Sequence, residues 1–423
     1  METWGGTKFM RDYRLLLRNK NFVYLWVSQI LSQLSINIMN FLLLSRLFSV
    51  TNSSIATSFL WVAYSIPAIL IGPFASAYVD MTDRRRVLVY TNLFQFLVIL
   101  IYAFIFNVRL FLLYGVALAY SFFNQFYVPA ESASLPSLVN KKSLAFANSL
   151  FFLTQQFSII AGFGFAGIIN QLLGFRNSLL LCSSFLLIAF VSVSFLPVMR
   201  FNKEKAKSLD KLFFDFFVRI KEGYEFIKNN RMVLFPFLLL LFMQVGIAIV
   251  VVNTPLLAQE ILRVHYDKVG VLVVVPAGIG ALLGALIVPF IFKKYKIRKK
   301  TVVETSLIMI SVSMLLFSFL FLWFNLLWMG IISFLLLILI GFSFVSIIVP
   351  TQTFLQEKVP GGLRGRIFGN FWFLVTVASI FPVIFSGALT EFLGVRFLIL
   401  LISALTFSCA LFLKKKGDDL IGG

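Results

Sequence analysis

The chain has 423 residues, of which 60% are hydrophobic, while 37 are basic and 17 acidic. That balance excludes a disordered chain, and no soluble core of this size uses so much apolar surface. The formal net charge of +20 is the one feature that would fit a nucleic-acid partner, and none is expected on bulk charge alone.

With Asp, Glu, Lys and Arg taken as breaks, eleven charge-free runs of 17 or more residues occur: 21–45, 47–79, 87–108, 110–130, 143–175, 177–199, 232–259, 269–292, 305–356, 367–390 and 397–413. Each can cross a bilayer as a helix, which takes roughly 20 apolar residues. The run 305–356 would measure about 78 Å as one helix against a hydrocarbon core of about 30 Å, so it must fold back. Trp323, Phe324 and Asn325 are the predicted turn. The chain is therefore predicted to be an all-α membrane protein of twelve transmembrane helices. The first run is 25 residues long with no small-residue cleavage site behind it, so it reads as the first span and not as a signal peptide.

An even number of spans places both termini on one side. The loops on that side carry 31 of the 37 basic residues, including Arg84 to Arg86, nine between Arg200 and Arg231, and six between Lys293 and Lys300. The opposite side holds Arg46, Arg109, Arg176, Arg263, Lys268 and Arg396. The positive-inside rule then makes both termini cytoplasmic in a multi-pass protein of the cell membrane, and the basic face should attract anionic lipids.

The stretch 200–231 separates two sets of six spans. Within it Phe213, Phe216, Phe217, Ile220, Tyr224 and Ile227 recur at helical spacing between charged residues, so it is predicted to be an amphipathic linker lying along the inner membrane surface. The domains are thus an N-terminal six-helix half (1–199), a cytoplasmic linker (200–231) and a C-terminal six-helix half (232–423). The halves repeat at an offset near 220: Gly167, Leu173, Gly174 and Arg176 match Gly387, Leu393, Gly394 and Arg396 in the pattern G-x5-L-G-x-R. Two parallel repeats about an axis normal to the membrane suit alternating access at their interface.

Cys182 and Cys409 are read as packed thiols, and His265 as a solvated loop residue. With one histidine and no nucleophile beside a base, neither an enzyme nor a metal site is expected, and no cofactor is implied. Polar side chains inside spans are costly and mark function by default. Gln29, Gln33, Asn37 and Asn40 follow one another at spacings of 4, 4 and 3 in the first span. They form either one amide face of a pathway for an amphipathic solute or a set of interhelical hydrogen bonds. Tyr64, Tyr120, Asn124, Gln155 and Gln244 are further substrate-binding candidates. The 52 phenylalanines would suit hydrophobic cations or macrocycles if some line a cavity, although most must pack the bundle or face lipid.

Leu17 to Phe22 with Leu25 and Trp26, Pro67 with Leu70 to Pro73, Asp80 to Arg86, Pro129 and Ala130, Leu135 to Val139, Ala147 and Asn148, and Gly365 and Arg366 form a recognisable set of segments. Together they resemble the major facilitator superfamily, and within it bacterial efflux carriers of the macrolide and siderophore exporter type. The Asp80 loop is similar to the family's G-x3-D-R-x-G-R-R loop, with Ser76, Met81 and Asp83 at variant positions. The resemblance implies a central cavity among spans 1, 2, 4, 5, 7, 8, 10 and 11, and a monomer. It also implies a gate drawn from Asp80, Asp83, Arg84, Arg85, Arg364 and Arg366, in which Asp80, with Arg84 its nearest cation in sequence, faces the start of span eleven and Arg364 or Arg366. The alternative is that Asp83 only caps span three and the arginines anchor at headgroups. Proton antiport is implied as well; the first span lacks the aspartate such exporters often carry, and Glu131, beside Pro129, is the candidate coupling carboxylate. The leading expectation is a secondary active exporter of small hydrophobic or amphipathic compounds. A lipid or lysophospholipid flippase on the same fold and a transport-inactive sensor or scaffold are the alternatives.

Overall fold

The structure is a computed structural model of the chain, and it describes residues 16–140, 143–199, 218, 221–295, 297–323 and 326–420. Most of the linker, including Phe213, Phe216, Phe217 and Ile220, lies outside the described residues, as do Phe324 and Asn325. The same holds for the side chains of Asp80, Arg364 and Arg366.

Every regular element among the described residues is helical. In hydrocarbon a backbone must satisfy its own N–H and C=O groups, which a helix does within one segment. Twelve spans result among the described residues. They begin with α1 (Lys20–Thr51), α2 (Ser54–Leu70, resumed as Gly72–Asp80), α3 (Arg84–Ile105) and α4 (Leu112–Leu138). The 51-residue run Leu144–Ser194 supplies α5 (144–173) and α6 (175–194). Then come α7 (Arg231–Val252), α8 (Val275–Tyr295), α9 (Lys299–Trp323) and α10 (Leu326–Lys358). The 60-residue run Gly361–Leu420 supplies α11 (361–393) and α12 (395–420). Helix α9 ends on Trp323 and α10 starts at Leu326, which brackets the expected turn.

Local chemistry sets the breaks. Ile71 interrupts α2 where Pro67 lacks the N–H of a helical bond and Gly72 with Pro73 starts the next segment, proline being tolerated in a first turn. Asp83 caps α3, its Oδ1 accepting from the Arg85 N–H at 3.1 Å. Gly174 and Gly394 bend the two long runs with φ/ψ of 77/164° and 81/159°. This corner of the map is essentially restricted to glycine.

The chain divides into two compact units: Met1–Leu43 with Ala63–Asp215, and Leu44–Val62 with Phe216–Gly423. In the first, Phe22, Leu25, Val79, Leu88, Tyr127, Leu135, Ala147 and Val193 form a core drawn from all six of its spans near the basic loops. In the second, α8 and α10 cross at glycine: a Cβ at Gly280 would lie 1.9 Å from the Ile338 carbonyl oxygen, and one at Gly341 1.9 Å from that of Ala277. Without a hydrophobic force between helices in lipid, such close backbone approach is what holds them. At the described end of the linker, Ile227 is buried with Val233 and Phe237 while Tyr224 is exposed.

The tip of the α1–α2 hairpin belongs to the second unit through specific bonds. Ser58 Oγ donates to the Val383 carbonyl at 3.1 Å, Trp61 Nε1 donates to Ser379 Oγ at 3.3 Å, and Ser45 Oγ donates to Asp267 Oδ1 at 3.0 Å. A Cβ at Gly387 would lie 2.2 Å from Ser58 Oγ and 2.7 Å from the Ser54 carbonyl oxygen, so α2 and α11 touch backbone to backbone.

Candidate functional site

Ser28, Ser32 and Ser35 lie on α1 at spacings of 4 and 3, which puts them on one helical face, and all three are buried. Facing them on α3 is Asn92, fully buried, and on α4 are Tyr127 and Glu131, one turn apart. The Tyr127 hydroxyl donates to Glu131 Oε1 at 2.8 Å. With that proton spent, the Ser28 hydroxyl, 3.3 Å away, donates to the Tyr127 oxygen. Asn92 Nδ2 donates to Ser28 Oγ at 3.1 Å, and Ser32 Oγ donates to Asn92 Oδ1 at 3.0 Å. Donors from three spans therefore run in one direction and end on a carboxylate that is 7% exposed. Such chains polarise one another where water is excluded.

Among the described residues Glu131 and Asp267 are the buried carboxylates. Asp267 has His265 Nδ1 at 3.1 Å, so the expected solvated histidine is half exposed and paired. Glu131 has a neutral hydroxyl. Gaining or losing a proton there changes charge where charge is expensive, and so acts on the whole α1–α3–α4 contact. One turn further along α3, Gln95 is fully buried and its amide has no hydrogen-bond partner among the described residues.

The amide face of α1 splits in two. Gln29 is buried, its Nε2 donating to the Phe151 carbonyl of α5 at 2.9 Å. Asn37 is buried and its Nδ2 returns to the Gln33 carbonyl at 2.7 Å. A Cβ at Gly162 of α5 would lie 2.5 Å from the Asn37 Cβ, so Asn37 sits in a close helix crossing. Gln33 and Asn40 remain half-buried. On α2 and α4, Asn124 Nδ2 donates to the Tyr64 hydroxyl at 3.4 Å and Ser121 Oγ donates to the Tyr64 carbonyl at 2.6 Å. Tyr120 is fully buried, Gln155 exposed and Gln244 half-buried.

Of the gating candidates, Asp83 also accepts from the Met199 N–H at 3.0 Å. Arg84 donates to the Ala133 carbonyl at 2.7 Å and Arg85 to the Ser194 carbonyl at 2.6 Å. Arg85 thus binds the last carbonyl of α6, where a cation complements the dipole, while Arg84 also reaches Ser137 Oγ of α4 at 3.3 Å. In the second unit, Glu391 Oε2 accepts from Ser53 Oγ at 3.1 Å and from the Ile55 N–H at 3.2 Å, placing a carboxylate on the N-terminus of α2. Asn253, the residue that follows α7, joins Ser386 and Thr390 of α11, at 2.9 Å each.

Sequence reasoning missed Ser28, Ser32, Asn92 and Tyr127. The available signals were the serine spacing, and a tyrosine one turn before the glutamate near the basic end of the fourth span. Hydroxyl residues are common in membrane helices, and their spacing alone does not name their partners.

Twelve spans among the described residues, in two units and with a polar network sunk in an apolar bundle, define a multi-span membrane protein. A family profile described as the Major Facilitator Superfamily matches residues 25–383, and the chain belongs to that superfamily. The chain is 24% identical over 391 residues to the uncharacterized MFS-type transporter YfiS of Bacillus subtilis strain 168, covering 90% of this chain and 89% of YfiS. YjbB of the same organism, another uncharacterized MFS-type transporter, is 26% identical over 199 residues, 45% of this chain and 47% of that one. Among solved structures, the nucleoside transporter NupG aligns with a TM-score of 0.69 at 15% identity, over 93% of this chain and 98% of that one. The POT family transporter PepTSo aligns at 0.68 and 12% identity, over 95% and 98%. At such identities the structural likeness shows the shared fold.

Proposed function

We propose that the protein is a secondary active exporter of small hydrophobic or amphipathic compounds. It sits in the cell membrane with both termini cytoplasmic and is coupled to protons through Glu131. The observation that carries the coupling is the directed hydrogen-bond chain from Ser32, Asn92, Ser28 and Tyr127 onto that buried carboxylate. Protonation of Glu131 reverses the need for donors around it and so alters how α4 is tied to α1 and α3. Solute contacts fall to the half-buried Gln33 and Asn40 with Tyr64 and Asn124, uncharged groups that suit a solute without an obligatory charge. The carrier works as a monomer, with anionic lipids on its basic face.

Alternating access needs a latch at each end of the bundle. At the basic end the latch is the Asp80 loop, with Arg364 and Arg366 as the opposing cations. The expected outcome for Asp80→Asn is a shifted distance distribution between spin labels on the two sets of basic loops, with expression unchanged; an unshifted distribution removes the gate.

Dye-efflux profiling of cells expressing the protein, with and without an uncoupler, tests the main reading. Export that collapses with uncoupler in wild type and is absent in Glu131→Gln, at equal membrane abundance, supports it. Uncoupler-insensitive export would transfer the coupling elsewhere. Movement of lysophospholipids with no effect on dyes would favour the flippase.

A further inference from the structure

The three arginines after Asp83 are not equivalent. Arg84 and Arg85 are committed to backbone carbonyls of α4 and α6. The Arg86 side chain is 80% exposed, and its ion pair with Asp83 is long, at 3.9 Å. The Asp83 carboxylate is meanwhile engaged by the N–H groups of Arg85 and Met199. Arg86 thus carries a loosely held positive charge at the basic end of α3.

Beside it opens a cavity of about 1060 Å³ within the first unit, lined chiefly by Tyr90, Phe94, Phe122, Phe123 and Phe126. Its wall is a continuous run of rings. Phe94 stacks on Phe123 at 5.1 Å, Phe123 meets Phe122 edge-on at 5.3 Å, and Phe122 meets Phe126 at 5.5 Å. The lining threonines do not wet it, because the hydroxyls of Thr82 and Thr91 are spent on the carbonyls of Tyr78 and Val87. Tyr90, Phe94 and Phe122 stay exposed along this slot. At 1.5 Å per residue along α3, Phe94 lies about 12 Å from Arg86, close to the depth of one leaflet's hydrocarbon.

We propose that this slot is a binding site for one anionic phospholipid, its phosphate on Arg86 and an acyl chain along Phe94, Phe122 and Phe123. Two charged groups line the mouth: the Asp83 carboxylate is 13% exposed and bound by two backbone N–H groups, while the Arg86 side chain is 80% exposed. The accessible charge is therefore positive and favours an anionic head on a hydrocarbon tail over a hydrophobic cation. A soluble anion would leave the aromatic wall uncovered. The assignment deepens the lipid partnership proposed above; it rests on the chain spanning a membrane and not on which side holds the termini.

Native mass spectrometry of the full chain in detergent, titrated with phosphatidylglycerol or phosphatidylcholine of matched chains, tests it. Wild type should retain phosphatidylglycerol preferentially. Arg86→Gln should weaken that retention by about fivefold, the worth of one basic residue near an anionic headgroup, and Arg86→Lys should largely preserve it. Lys228→Gln, which removes an exposed charge outside the slot, should change nothing. Equal retention of both lipids by wild type, an equal loss in Lys228→Gln, or displacement of the lipid by inorganic phosphate would each overturn the site. Because transport does not enter this assay, failure of the exporter reading and failure of the lipid site are told apart.

Discussion

Gly174 and Gly394 adopt the same backbone conformation to within about 5° in φ and ψ, each at the bend between the fifth and sixth helices of its half. Each is followed two residues later by an arginine with a local anchor. Arg176 lies 4.6 Å over the Phe104 ring, and Arg396 donates to the Glu260 carbonyl at 3.0 Å. The repeated G-x5-L-G-x-R pattern is thus a repeated bend with a repeated clamp.

The bend predicts a backbone cost. Gly174→Ala meets no atom within 4 Å, so its expense is conformational, about 1–3 kcal/mol. Gly394→Ala adds a contact with Glu260 Oε2 at 3.2 Å and should cost somewhat more. Thermal unfolding in detergent would show both midpoints lowered, Gly394→Ala the further; an unchanged midpoint in Gly174→Ala would mean the bend relaxes.

The two kinds of amide on α1 predict different phenotypes. Gly162→Ala presses on Asn37 and should lower stability by about 1–3 kcal/mol, as overpacking does. Asn37→Leu should likewise reduce the folded yield together with transport. Gln33→Leu should impair export at normal expression and stability. Normal efflux in Gln33→Leu, read with the same dyes, would assign the whole face to packing.

The directed chain predicts graded effects around Glu131. Tyr127→Phe removes its hydroxyl donor and should leave export weaker and less sensitive to the proton gradient. Asn92→Ala, two bonds upstream, should act in the same direction and less strongly, each lost interhelical bond being worth about 0.6–2 kcal/mol. Export rates against an imposed pH gradient in proteoliposomes would rank them. A larger loss in Asn92→Ala than in Tyr127→Phe would contradict the order.

The backbone contact of Gly387 with Ser54 and Ser58 predicts a conformational effect. Gly387→Ala cannot keep that approach, so labels at the exposed Val50 and Phe392 should move apart in electron-spin distance measurements. An unmoved distribution would show that the tip of the α1–α2 hairpin yields locally.

The proposed orientation rests on charge alone. A reporter active only outside the cytoplasm, fused after Leu413, should be silent, because 31 of the 37 basic residues sit in loops on the side of both termini. Strong activity there would rule out that topology.

Span number and the matching glycines at the ends of the fifth and eleventh spans were legible in the sequence because they are local, although not that those glycines bend the chain. Charge-free length, proline and glycine act on their own segment, and lipid removes most alternatives to helix. Glu131 was legible for the same reason, since a carboxylate within an apolar span is conspicuous. What the sequence could not determine was which polar groups meet. Gln29, Gln33, Asn37 and Asn40 read as one uniform face, yet Gly162, 125 residues beyond Asn37 in the chain, turns Asn37 into a packing residue and leaves Gln33 partly open. Ser28, Asn92 and Tyr127 lie on three helices and become one chain of donors only when those helices pack. Three consecutive arginines look alike in sequence, and neighbouring helix ends decide that two bind carbonyls while Arg86 stands at the mouth of an aromatic slot. Hydrogen bonds are short and directional, so their partners are set by the placement of helices distant in sequence, which no periodicity along one helix encodes.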